Sequence, residues 1–80
     1  MVFQLVRLEV SEDGSVLARE ETQPLFELRK DAMAMAEFEA ARYYEEYEYD
    51  DDNDCWTVRD RRNRKFRLVV EWRSDSEIAA

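Results

Sequence analysis

The sequence predicts an α+β domain whose elements follow the order ββαββ. Three features of the chain predict it. Two apolar segments flank turn residues at the amino end, a stretch with helical periodicity follows, and a second pair of apolar segments closes the chain. The 80 residues, 45% of them hydrophobic, suffice for one folded domain with a thin core. We therefore predict a single domain over residues 1–80.

The first two strands are predicted on either side of a tight turn. Val2–Val10 is rich in Val and Leu, and residues 11–14 supply turn-forming side chains together with the only glycine of the chain. Residues 15–21 return as the second strand. Pro24 is predicted to end this strand, because proline lacks the amide hydrogen that a sheet ladder needs.

A helix is predicted from about Leu25, where the apolar period changes from two residues to about 3.6. The expected apolar stripe consists of Leu28, Ala32, Met35, Ala36, Ala40, Tyr43 and Tyr47. Glu45, Glu46 and Glu48 then fall on the last helical turn. At that end the helix macrodipole is negative, and each exposed acid is unfavourable by about 0.3–1 kcal/mol. Acids at an unfavourable position favour a role outside the fold.

Residues 55–60 and 66–72 are predicted as the last two strands, around a turn at residues 61–63. The final strand has the clearest alternation, with apolar side chains on one face at Phe66, Leu68, Val70 and Trp72. This strand and Val2–Val10 are the most apolar, so we predict that they form a parallel central pair in a four-stranded sheet of order 2-1-4-3. One helix would cover one face, in a layout that resembles the β-grasp arrangement in shape. Residues 73–80 are predicted to form a flexible tail.

Composition excludes several classes of function. The chain has no histidine, so it cannot build a Ser-His-Asp or Cys-His nucleophile, and we predict a protein that is not an enzyme and needs no cofactor. Cys55 is the only cysteine, which precludes an internal disulfide and favours the cytoplasm. No apolar run approaches the roughly 20 residues of a membrane-spanning helix.

A metal site is not predicted, although the chain contains a fragment of a calcium-loop pattern. Asp50, Asp52 and Asp54 alternate as at the beginning of an EF-hand loop. The sixth position of that loop requires glycine and the twelfth requires glutamate. This chain has Cys55 and Arg61 at those positions, so the tight turn and the bidentate ligand are both missing.

The most informative feature of the sequence is a reversal of charge. Residues 45–54 contain seven acids, and residues 59–67 contain six bases, within a chain of net charge −8. In one interpretation, the two blocks pair with each other and form a weak network in which each exposed pair contributes about 0–1 kcal/mol. In the other interpretation, the acids and the tyrosines among them bind a basic protein partner.

The candidate protein-binding residues are Tyr44, Tyr47, Tyr49, Asp50, Asp51, Asp52 and Asp54. A sharper form of this hypothesis is nucleic-acid mimicry, in which carboxylates take the place of phosphates. The alternative function is nucleic-acid binding by the second hairpin, whose candidate residues are Arg61, Arg62, Arg64, Lys65 and Arg67. The net charge of −8 opposes this alternative, because it repels the molecule as a whole from phosphates.

Phe38 is predicted to lie outside the core. Together with Ala34 and Ala41 it falls on the side of the helix opposite the apolar stripe, where one sheet cannot cover it. Three outcomes are open: a homodimer through this face of the helix, a cover formed by Ile78 in the tail, or simple exposure. The sequence thus predicts a small acidic binding or inhibitory module, and no membrane partner.

Overall fold

The computed structural model describes residues 1–74, in which one helix packs on one face of a five-stranded sheet. In chain order the elements are β1 (Val2–Val10), β2 (Val16–Phe26), α1 (Arg29–Tyr43), β3 (Glu46–Asp50), β4 (Cys55–Arg59) and β5 (Lys65–Arg73). The strand order in the sheet is β2-β1-β5-β4-β3, and every neighbouring pair is antiparallel. Within residues 1–74, no helix is long and apolar enough to cross a bilayer.

The α+β class and the central position of the first and last strands are as predicted, but the prediction of four strands and a parallel central pair is wrong. β1 and β5 are adjacent, and they run antiparallel with Val2 opposite Arg73. The difference comes from β3, which adds one reversal of the chain between the helix and β5. This reversal inverts the direction of the last strand, so the β-grasp layout does not apply.

β2 continues through Pro24 instead of ending before it. The strand lies at the edge of the sheet, where a residue without an amide hydrogen is tolerated. Its pairing with β1 is interrupted by a bulge, because Gln4 lies opposite Leu25 while Val6 lies opposite Glu21. The irregular stretch is held by the side chain of Gln4, which donates a 3.0 Å hydrogen bond to the carbonyl of Thr22.

α1 is shorter at both ends than the predicted helix. It begins at Arg29 and ends at Tyr43, and its last turn contains the basic Arg42, which suits the negative end of the macrodipole. Tyr44 has an extended backbone, with φ −125° and ψ 149°. Glu45, Glu46 and Glu48 are therefore not helical, and the unfavourable position from which we argued for a role outside the fold does not exist.

The core lies between α1 and the central strands. Ala36 and Ala40 face the sheet with no exposed surface, and their small side chains let the helix approach it closely. The sheet supplies the larger core residues, namely Leu5, Val58, Phe66 and Leu68. By strand alternation Val6, Val10 and Cys55 fall on the opposite face, where they are also buried. Arg73, which the sequence predicts in the tail, belongs to β5, and residues 75–80 lie outside the described residues.

Candidate functional site

β3 forms one edge of the sheet and alternates acids with tyrosines. Tyrosine favours strands, and the sequence of Glu46–Asp50 has the period of two that an extended strand requires. Glu46 and Glu48 project from the face opposite α1. Tyr47 and Tyr49 project on the side of α1, where both rings pack against Trp56 with centroids 6.1 and 5.4 Å apart.

The two tyrosines are only partly covered by this packing. Tyr47 retains 51% of its surface and Tyr49 retains 38%. A shallow groove of about 490 Å³ separates the aromatic side of β3 and β4 from the helix, and Met33, Tyr49 and Trp56 contribute to its walls. An aromatic surface is therefore accessible on one side of β3 and a carboxylate surface on the other.

The loop between β3 and β4 is held by two of its aspartates. The carboxylate of Asp50 accepts hydrogen bonds from the backbone amides of Asp52 at 3.0 Å and Asn53 at 3.2 Å, and from the side chain of Asn53 at 2.7 Å. Asp54 has a positive φ of 51°. Its carboxylate accepts hydrogen bonds from the Tyr49 hydroxyl and from the guanidinium of Arg29.

These contacts affect ionisation in the expected directions. Hydrogen bonds from the Asn53 side chain and amide lower the pKa of Asp50. The hydrogen bond with Tyr49 lowers the pKa of Asp54 and, from the other side, raises the pKa of Tyr49. Both carboxylates are consequently ionised at neutral pH and are engaged within the loop.

Four other acids of this region have no basic partner among the residues that the structure describes. They are Glu46, Glu48, Asp51 and Asp52, all of which are exposed. The acidic edge, as we name it, consists of these four acids and the two tyrosines of β3, Tyr47 and Tyr49. Glu46 lies opposite Arg59 on β4, but the Arg59 guanidinium makes its ion pair with Glu12 at 3.0 Å and attracts Glu46 only at longer range.

Tyr44 does not belong to the acidic edge. It is half-buried behind the end of α1, where its ring packs on Phe66 at 5.8 Å between centroids and its hydroxyl accepts a 3.4 Å hydrogen bond from Arg7. Of the seven candidate protein-binding residues, the structure thus engages Tyr44, Asp50 and Asp54 in internal contacts. Tyr47, Asp51 and Asp52 make no hydrogen bond or ion pair through their side chains within the described chain. Tyr49 presents its ring while its hydroxyl is bound.

For three members of the acidic edge, Glu46, Tyr47 and Glu48, the position predicted from the sequence is wrong. The sequence predicts a helix there, whereas all three residues lie on an edge strand. The Glu-Tyr-Glu-Tyr-Asp alternation of β3 was the signal that identifies the strand.

The second hairpin is partly neutralised by acids. Arg61 pairs with Glu45 at 3.1 Å, and Arg64 pairs at 2.8 Å with Asp60, whose carboxylate also accepts the amide hydrogens of residues 62 and 64. Among the described residues, the side chain of Arg62 has no such partner. Only part of the positive charge in this turn is therefore available to a ligand.

Lys65 and Arg67 lie on β5 on the face of the sheet opposite α1. Both are half-buried, and the Nε of Arg67 has no hydrogen-bond acceptor within the described residues. They project from this face of the sheet, whereas Arg61, Arg62 and Arg64 lie in the turn, so the five candidate nucleic-acid-binding residues are divided between the strand and the turn.

The acidic loop and the basic turn lie at opposite ends of β4. Asp50 pairs with Cys55 at one end of this strand, and Arg59 pairs with Lys65 at the other, a distance of about 13 Å along the strand. The Arg61–Glu45 pair is the only ion pair between residues 45–54 and residues 59–67 that the described chain contains. At longer range the charge of Arg67 acts on Asp50 and that of Glu46 acts on Arg59, so contact ion pairs account for only part of the interaction between the two blocks.

Other chemistry is sparse in this region. Cys55 is buried, and burial followed by the charge of Asp50 raises the pKa of its thiol, which keeps it protonated and unreactive. Across residues 1–74, no three metal-ligating side chains converge. Comparison of the chain with protein-family models, with curated proteins and with solved structures gave no match.

Phe38 is 52% exposed on the outer face of α1, as predicted, and Ala34 and Ala41 are exposed beside it. The guanidinium of Arg42 lies 5.7 Å from the centre of its ring, which is a cation–π distance. The phenylalanine is thus partly covered from within the same helix. Ile78, the other predicted cover, lies outside the described residues.

Proposed function

We propose that this protein is a non-enzymatic binding or inhibitory module that presents its acidic edge to a basic protein partner. The observation that supports this proposal is the concentration of unneutralised acids beside exposed aromatic rings on β3 and the following loop. Carboxylates without a basic partner attract a cationic surface, and exposed tyrosines supply contact area at a low cost in conformational entropy.

The distribution of ion pairs sharpens this argument. Seven arginines of the described chain pair with a carboxylate elsewhere in the fold, namely Arg7, Arg19, Arg29, Arg59, Arg61, Arg64 and Arg73. Of these, only Arg29 and Arg61 bind an acid within residues 45–54, and they bind Asp54 and Glu45. Glu46, Glu48, Asp51 and Asp52 therefore keep their charge for a partner.

Nucleic-acid mimicry is the sharper form of the same proposal. In that form the partner is a protein that binds nucleic acid, and the carboxylates of the acidic edge occupy its phosphate-binding surface. A DNA duplex would then compete with this chain for the partner. Cytoplasmic location remains a prediction from the single cysteine.

Nucleic-acid binding by the second hairpin has weaker support. Arg61 and Arg64 each bind a carboxylate. Lys65 and Arg67 project from the face of the sheet opposite α1 and not from the turn. An electrophoretic mobility shift at low salt tests this alternative directly. Retardation of DNA or RNA by the wild-type chain, lost when Arg61 and Arg62 are both replaced by Glu, would favour it over a protein partner.

A homodimer through Phe38 also remains a prediction. The cation–π contact with Arg42 covers part of the Phe38 ring. Half of the ring surface is still exposed and could be buried in such a dimer. Sedimentation of the wild-type chain and of F38E over a range of concentrations distinguishes the two states. A dimer through this face dissociates in the variant, whereas a monomer is unchanged.

Affinity capture with charge-matched variants tests the proposed function. Two double variants, E46Q/E48Q and D51N/D52N, each remove two negative charges from the acidic edge. A third, E27Q/D31N, removes the same charge from exposed positions near the start of α1 and serves as the control. We expect the wild-type chain and the control to capture a basic protein that is released at moderate salt, and the acidic-edge variants to capture less of it. Equal capture by all four chains would refute the proposal.

A further inference from the structure

The outer edge of β3 is a strand edge without a neighbour among the described residues. β3 pairs with β4 on one side only, because it is the last strand in the sheet order. Alternate backbone amides and carbonyls of such a strand point outward and are available to a further strand. The helix does not cover this edge, since α1 lies over the face of the sheet and its core residues face the central strands.

The side chains of β3 define what kind of strand the edge can accept. An added strand would bring alternate side chains next to Glu46 and Glu48 on one face, and the intervening side chains next to Tyr47 and Tyr49 on the other. Opposite charges in directly facing positions stabilise a pair of strands, and aliphatic side chains pack well on tyrosine rings. The edge therefore fits a segment in which basic and apolar residues alternate.

The same charges disfavour β3 of a second copy of this chain as the strand that is added beside β3. Pairing of β3 with β3 of another molecule would place glutamates next to glutamates, and like charges in facing positions destabilise a sheet. The other edge strand of the described sheet, β2, presents Arg19 next to Glu20 and Glu21, and Arg19 is already paired with Glu71 at 2.5 Å. Charge complementarity thus selects a partner that is not this protein.

We propose that the acidic edge binds its partner by strand addition, in which an extended basic segment of another protein becomes the sixth strand of the sheet beside β3. This inference rests on the proposed function and specifies how that function is carried out. Hydrogen bonds between backbones supply affinity, and the alternating Glu and Tyr side chains select a partner segment with Lys or Arg at every second position. β3 has five residues, so the segment that pairs with it is about five residues long.

Backbone methylation of a model peptide tests the pairing separately from the charge. The probe is an acetylated and amidated peptide of about seven residues in which Lys alternates with Val. In strand addition only every second amide of the peptide donates to β3. N-methylation of one alternate set of amides should therefore weaken binding at least about tenfold, whereas methylation of the other set should weaken it about twofold or less. Hydrogen exchange of amides in residues 46–50 should become slower when the unmethylated peptide binds.

The outcomes separate the inference from the proposed function. We expect E46Q/E48Q to weaken binding of the unmethylated peptide about five- to tenfold, and the control E27Q/D31N to leave it within about twofold. If both methylated peptides bind alike while E46Q/E48Q still weakens binding, the acids act by charge alone and strand addition is wrong, although the proposed function stands. If E46Q/E48Q has no effect on any peptide, strand addition beside the glutamates is wrong, and the proposed function fails with it only if D51N/D52N also has no effect. Slower exchange in β3 at high protein concentration without peptide would indicate a second copy as the occupant and overturn the inference.

Discussion

Glu71 lies between two arginines on the face of β5 opposite α1. Its carboxylate accepts hydrogen bonds from Arg19 at 2.5 Å and from Arg73 at 2.6 Å, and the guanidinium of Arg73 also reaches Glu21 at 3.2 Å. The hydrogen bonds from Arg19 and then those from Arg73 lower the pKa of Glu71 to about 2. This cluster connects β2 and β5 across the intervening β1.

Because the pKa of Glu71 is lowered in the folded chain, the free energy of unfolding depends on pH. The group ionises near its ordinary pKa of 4.5 in the unfolded chain and near 2 in the folded chain, so its contribution is complete above about pH 4.5 and is lost as the pH falls toward 2. We expect E71Q to lower the melting temperature at pH 7 and to make its decline between pH 4.5 and 2 shallower. Melting curves followed by circular dichroism measure both effects. The control E27Q changes an exposed acid that has no basic partner among residues 1–74, and it should leave the fall of the melting temperature with pH as in the wild-type chain.

Leu68 provides a residue-scale test of the core. It is 1% exposed in the centre of β5 and packs in the cluster beneath the alanines of α1. We expect L68A to lower the free energy of unfolding by about 2–4 kcal/mol, because truncation removes buried methyl groups and leaves a cavity. Chemical denaturation measures the change. L17A, at a position that is 62% exposed, should change it by less than about 0.5 kcal/mol. A loss below about 1 kcal/mol for L68A would place the core elsewhere.

At the scale of the elements, the loop between β3 and β4 contains aspartates with two different roles. Asp50 and Asp54 accept hydrogen bonds that fix the loop, whereas Asp51 and Asp52 project into solvent. From residue type alone all four aspartates have the same interpretation, since nothing in a run of acids distinguishes the residue that binds a backbone amide from its neighbour.

Two double variants with the same change in charge separate these roles. We expect D50A/D54A to lower the free energy of unfolding by about 1–3 kcal/mol, because it removes hydrogen bonds to backbone amides and places alanine at the positive φ of position 54. D51A/D52A should leave stability unchanged or slightly raised, since it only relieves repulsion among acids. Urea denaturation at neutral pH measures both. Equal losses in the two variants would mean that the charges, and not the hydrogen bonds, hold the loop.

β3 explains why the sequence predicted the fold only in part. Tyr47 follows Tyr43 by four residues, which suits a helical stripe, and it also precedes Tyr49 by two residues, which suits a strand. Glutamate is a good helix former, so local propensity favoured the helix. The tertiary pairing with β4 decided the outcome, because only a strand places both tyrosines against Trp56. Pro24 misled the prediction for a similar reason, since only an edge position permits it within β2.

At the scale of the whole molecule, the number of strands determines the direction of the last one. The alternation of β5 and the apolar character of β1 were sufficient to predict that these strands meet in the centre. Their relative direction depended on counting every reversal between them, and the one missed strand changed it. Of the candidate site, the exposed residues Tyr47, Tyr49, Asp51 and Asp52 could be predicted from residue type alone. Distinguishing them from Tyr44, Asp50 and Asp54 required the contacts of the folded chain.

The pairing of Val2 with Arg73 places the start of the first strand beside the end of the last strand. Val2 and Arg73 lie about 5 Å apart between Cα atoms, at the end of the sheet that carries the loop between β3 and β4. A circular permutant that joins these ends through a short flexible linker and opens the chain between Arg62 and Asn63 should therefore fold, with a far-ultraviolet circular dichroism spectrum like that of the original. Failure of this permutant to fold would contradict the antiparallel pairing of β1 with β5. The new ends would lie at the far end of the sheet, close to Glu46, so that a fused protein there would leave the loop acids Asp51 and Asp52 unobstructed.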